Sequence, residues 1–118
     1  QRLKIWYHYH EFFNSQNFSE FFSLPIVPEV CSINGHIYYL LVKENAEREN
    51  FIKYMHDNKI HCIFHYIPLH NSKAGKKFGR IGSDMEITED LSSRIVRLPL
   101  WVGLNPENIT QAINKKYF

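Results

Sequence analysis

The sequence contains no apolar run approaching the roughly 20 residues that cross a bilayer, so no membrane-spanning helix is expected. It also lacks a strong charge of either sign. Lysine and arginine number 14 against 12 aspartates and glutamates, for a net charge of +2. A nucleic-acid binder usually shows a concentrated basic face, which this composition does not supply. There are only two cysteines, Cys31 and Cys62. That number fits a reducing compartment, and nothing in their spacing asks for a disulfide. No glycine pattern matches a nucleotide-binding fingerprint, and no serine sits in a Gly-x-Ser-x-Gly elbow. Internal repeats and low-complexity tracts are absent as well.

What is present is an ordinary globular composition at single-domain length. The 118 residues are 44% hydrophobic and 22% charged, enough for a modest core. Aromatics reach 15%, so the core is expected to rely on Phe and Tyr. Seven histidines are unusual, and net charge should rise below about pH 6.5. The chain begins at Gln1 in what reads as a helix in progress, not a charged-then-apolar leader. It is therefore expected to be a piece of a longer protein.

Leu3, Trp6, His10 and Phe13, with Tyr9 beside them, space an apolar stripe along a helix. That stripe would pack on a further domain, and left exposed would promote self-association. Pro25 and Pro28 predict an irregular extended connection after Phe18–Leu24. Residues 36–43 read as a strand apolar on both faces. Asn45 reads as the cap of a helix buried through Phe51, Ile52 and Met55, and Asn58 as its left-handed stop. Residues 60–66 read as a second strand, with Ile60, Cys62, Phe64 and Tyr66 on one face. Residues 71–86 hold three glycines and little periodicity, and read as an unstructured stretch. A short helix at 87–93, a strand at Ile95–Leu98 and a helix capped by Asn105 with Pro106 complete the chain. That order predicts an α+β fold, a small antiparallel-rich sheet with helices packed on it.

Two constellations could carry chemistry. The first is the run from His61 to His70. A strand puts His61 and Cys62 on opposite faces and spaces His61 from His65 by more than about 10 Å, so no metal site is expected. Cys62, between Ile60 and Phe64, reads as buried and inert. The run is either a core strand with polar edges or a binding site where the chain leaves the sheet, with His65, Tyr66 and His70 around Pro68. The second is Lys73, Lys76, Lys77 and Arg80 among Gly75, Gly79 and Gly82. Cations with bare amides suit a phosphate, and a solvated loop suits the same pattern. Lys76, Lys77 and Arg80 are the candidate phosphate contacts.

Three runs together resemble one family. Asn34-Gly35-His36 ahead of a strand, Phe64-His65-Tyr66-Ile67-Pro68-Leu69-His70, and Arg97-Leu98-Pro99-Leu100 look like the C-terminal region of the DegT–StrS sugar-nucleotide aminotransferases. The likeness extends over nearly the whole chain. It implies a fold type I enzyme that uses pyridoxal phosphate (PLP). In that family a large domain holds PLP on a lysine, and a small domain closes over an active site shared by two subunits of a homodimer. Residues 1–118 would be the small domain, with 1–14 the end of a helix linking to the large one. Glutamate would donate the amino group and a dTDP-4-keto-6-deoxyhexose would accept it. The setting would be cytoplasmic synthesis of surface polysaccharide, such as enterobacterial common antigen or lipopolysaccharide. No nucleic acid or membrane partner is implied.

By the same resemblance His65, Tyr66 and His70 bind substrate, and the basic loop approaches its diphosphate. No residue here is expected to be catalytic, because the family's lysine lies in a large-domain motif that these residues do not contain. The chain alone is expected to be inactive and to hold no PLP. Two other readings stay open: a sugar dehydratase of the same fold, with histidine in place of the lysine, and a stand-alone non-catalytic binding domain.

Overall fold

In the computed structural model, which describes residues 1–118, the first helix α1 (Arg2–Ser15) buries Ile5, Trp6, Tyr9 and Phe13. The expected stripe is thus rotated: Ile5 is inside, Leu3 is exposed and His10 is half-buried. These side chains belong to this domain's own core, so the stripe is not a free surface and gives no reason for self-association. The buried polar ends are satisfied, with Trp6 Nε1 donating to the Ile37 carbonyl at 3.1 Å and Tyr9 Oη to Pro99 at 2.8 Å.

A 3-10 turn at Phe18–Glu20 leads into β1 (Phe22–Ser23), a two-residue edge strand that the sequence did not predict, just before the proline-bounded connection. It pairs antiparallel with β2 (Tyr38–Val42), matching Phe22 to Val42. Pro25 has no N–H to continue the ladder. Strand β3 (Ile95–Leu98), where the sequence placed it, pairs antiparallel on the other side, matching Tyr38 to Leu98 and Leu41 to Ile95. The order is β1-β2-β3. Tyr38, Leu40, Val42, Val96 and Leu98 face one core with α1, with α2 (Asn45–Asp57) and with α5 (Glu107–Tyr117). The opposite face carries Tyr39, Leu41, Ile95 and Arg97, all half-buried. This is the α+β architecture that the element order predicted. No helix is long and apolar enough to cross a membrane.

Several boundaries differ from expectation. Helix α2 is capped by Glu44, one residue before Asn45, because Glu44 and Glu47 form a capping box. Its left-handed residue is Lys59, at φ 62°, and not Asn58, whose amide instead donates back to the Tyr54 carbonyl at 2.9 Å. The last helix starts one residue later than expected, with Pro106 at the N-cap, and the Asn105 side chain accepts the Glu107 N–H at 3.0 Å just ahead of it.

The second strand fails to form. Residues 60–66 make a single bridge, Ile63 with Arg97, through bonds of 2.7 and 3.3 Å. The next rungs would need the N–H groups of residues 99 and 95. Residue 99 is proline, and the Ile95 N–H already donates to the Leu91 carbonyl at the end of α4 (Glu86–Arg94). Cys62 is buried as expected, while Phe64 and Tyr66 are exposed.

The stretch expected to be unstructured is in part helical, with residues 79–85 free of helix and strand. A 3-10 turn at Leu69–Asn71 precedes α3 (Lys73–Phe78), capped by the Ser72 hydroxyl, which accepts the Gly75 N–H at 2.9 Å. Gly75 is required there, since a β-carbon would collide with the Leu69 carbonyl oxygen. Helix α4 covers the predicted 87–93 with one more residue at each end.

Candidate functional site

From Lys59 the chain runs extended along the open edge of β3 and ends in the 3-10 turn. That path exposes His61 and turns Cys62 into the core. Burial pushes the Cys62 thiol up to about 12, so it is neither a nucleophile nor a ligand at neutral pH. No three His, Cys, Asp or Glu side chains come together to hold a metal.

His65 is half-buried, and its ring lies edge-on to Tyr66 at 4.6 Å between centroids. Burial, followed by the charge of Arg97, holds its imidazole below the ordinary histidine range. Its Nδ1 is buried without a hydrogen-bond partner. His65 lines a groove of about 470 Å³ with Trp6, Ile26, Asn34, His36 and Tyr39. Tyr66 is 69% exposed and lines neither this groove nor the one described next.

His70 lies elsewhere. It lines a groove of about 620 Å³ between the 3-10 turn, α3 and α4, with Leu69, Phe78, Arg80, Met85 and Thr88. Its Nε2 is 3.0 Å from Oε1 of Glu89 on α4, and Asn71 Nδ2 donates to that same oxygen at 3.1 Å. Those hydrogen bonds, from His70 first and Asn71 second, hold the Glu89 carboxyl below the usual carboxylate range. Arg80 shares the groove, beside Gly79 and Gly82. Lys76 and Lys77 are exposed on α3 and do not line it; the Lys77 ammonium sits 5.0 Å from the neighbouring Phe78 ring.

The structure therefore brings His70 and Arg80 together and puts His65 in a separate groove. Glu89 was not foreseen. It lies 19 residues beyond His70, and only the packing of α4 against the turn joins them.

The sequence profile of the DegT/DnrJ/EryC1/StrS aminotransferases matches residues 1–116. The chain belongs to that family. Over 88 residues it is 28% identical to the dTDP-3-amino-3,6-dideoxy-alpha-D-galactopyranose transaminase of Aneurinibacillus thermoaerophilus, covering 74% of this chain and 24% of that protein. Among solved structures it superposes on the aminotransferase TlmJ of Streptoalloteichus hindustanus with a TM-score of 0.80 at 19% identity, over 97% of this chain and 30% of that one. Helicobacter pylori PseC, an aminotransferase involved in the biosynthesis of pseudoaminic acid, gives 0.80 at 18%, over 98% and 32%. Those two likenesses show the fold. The chain spans about a quarter of the curated relative's length and about 30% of the solved structures'.

PLP is the cofactor that the family implies. A lysine that forms an imine with it is made reactive by burial or by neighbouring cations. Every lysine in this chain is exposed except Lys116, which is half-buried with its ammonium 4.6 Å from the Tyr54 ring centroid. None of them fits that attachment, and no step through the cofactor rests on these residues.

Proposed function

We propose that this chain is the C-terminal small domain of a PLP-dependent transaminase that moves an amino group from glutamate to a dTDP-4-keto-6-deoxyhexose for surface-polysaccharide synthesis. One observation carries the reading. Residues 1–116 match the sugar aminotransferase family, yet the chain covers only about 30% of solved relatives. On this reading a large domain, reached through residues 1–14, supplies the lysine and the cofactor pocket. The enzyme is a cytoplasmic homodimer, and the small domain encloses substrate.

His70 accepts or donates a hydrogen bond to the sugar, and Arg80 meets the diphosphate from across the same groove. Lys76 and Lys77, exposed on α3, add positive potential at its approach. His65, in its separate groove with Asn34 and His36, and the exposed Tyr66 beside it meet a second part of the substrate, away from the His70 groove. The chain by itself is inactive and holds no PLP.

The test is to incubate the longer protein with PLP, glutamate and dTDP-4-keto-6-deoxyglucose and to follow the amino sugar. Product that depends on both glutamate and PLP is expected. No product and no PLP absorbance band would remove the reading. A second reading, amination at C3, is favoured by the name of the curated relative, a 3-amino-3,6-dideoxygalactose transaminase. A 3-keto substrate in the same assay separates the two.

A further inference from the structure

We infer that Glu89 is a positioning residue for His70, fixing a proton on Nε2 so that Nδ1 faces the groove as an acceptor for a ligand hydroxyl. This rests on the reading that His70 faces substrate.

The geometry is specific. The His70 side chain is only 11% exposed and that of Glu89 52%, so the carboxylate reaches in from the rim to a ring that is nearly enclosed. A carboxylate is an acceptor only. The nitrogen 3.0 Å from it must carry the proton, because a bare nitrogen there would set two lone pairs against each other. Asn71 Nδ2 holds the same oxygen from the turn, so the carboxylate is gripped from two sides. The Lys76 ammonium lies close enough to favour its charged form.

His70 Nδ1 has no partner within the chain, and it is not among the buried unpartnered atoms, which include His65 Nδ1 and His8 Nε2. It is therefore open to solvent on a residue that lines the groove. In the neutral ring that atom offers a lone pair. It suits a hydroxyl and disfavours a carbonyl oxygen, which has no proton to give. Glu89 thereby decides which face of the sugar His70 can read, without itself touching the ligand.

The experiment is proton NMR of the His70 ring in the chain, at a pH where imidazoles are neutral. The Hε2 resonance is expected to be sharp and slow to exchange with water. Glu89→Ala should broaden it away, and Glu89→Gln, which keeps an acceptor oxygen, should restore it. An equally sharp resonance in Glu89→Ala overturns the pairing. In the longer protein Glu89→Ala should raise KM for the sugar nucleotide about tenfold and leave kcat within about twofold, as expected for lost ground-state binding. An unchanged KM overturns the role toward ligand. Absence of transaminase activity in the unmodified longer protein, with the resonance still dependent on Glu89, would remove the functional reading and leave the pairing standing.

Discussion

Tyr9 Oη donates to the carbonyl of Pro99 at 2.8 Å, joining the first helix to the end of β3 across 90 positions of sequence. Tyr9 is fully buried, and burial raises its phenol above the ordinary tyrosine value, so the group stays neutral and serves as a donor. Pro99 also denies the neighbouring segment a ladder rung. One short stretch therefore anchors α1 and keeps residues 60–66 from becoming a strand.

Removing that hydroxyl should cost more than an average hydrogen bond, because the Pro99 carbonyl is left buried. Tyr9→Phe is expected to lower stability by about 1–3 kcal/mol. Urea unfolding with an unchanged m-value checks it, and a loss well below that range would mean that water reaches the carbonyl.

Gly75→Ala sets two effects against each other. Alanine gains about 1 kcal/mol of helix propensity over glycine. The new β-carbon, however, collides with the backbone oxygen of Leu69, which cannot move without shifting the turn that carries His70. Overpacking of this kind costs about 1–3 kcal/mol, so net destabilisation is expected. Hydrogen exchange should speed up across residues 69–79. Slower exchange there would show that the turn accommodates the methyl group.

His65 gives a pH dependence whose sign follows from its lowered pKa. The folded chain binds the imidazole proton more weakly than the unfolded chain does. This contribution therefore destabilises progressively as pH falls below the unfolded value of about 6.5. His65→Gln should flatten the fall of Tm as pH drops below about 6.5. An identical slope in wild type and variant would contradict the assignment.

The two cysteines should separate cleanly. Cys31 is exposed, while Cys62 is buried with its thiol raised to about 12. Iodoacetamide at neutral pH is expected to modify Cys31 in the native chain and Cys62 only after unfolding. Modification of both at similar rates in native buffer would place Cys62 outside the core.

Much of this fold was legible because local signals sufficed. Strands β2 and β3 are short runs of β-branched and aromatic residues, and Asn105-Pro106 marks the last helix. What escaped depended on partners distant in sequence. Residues 60–66 have strand composition, but the backbone of Ile95 and Pro99 leaves them a single rung. The Ser72 cap of α3 was hidden among lysines and glycines that read as loop. At the site, the sequence singled out His65, Tyr66 and His70 from their place where the chain leaves the sheet. It could not show that His65 and His70 line separate grooves, or that Glu89 joins His70.

The most direct test of the account is to trap PLP on the longer protein with borohydride and map the labelled lysine. The account predicts one reduced PLP-lysine peptide, lying outside residues 1–118. A label on any lysine between Lys4 and Lys116, or no label at all, would contradict it.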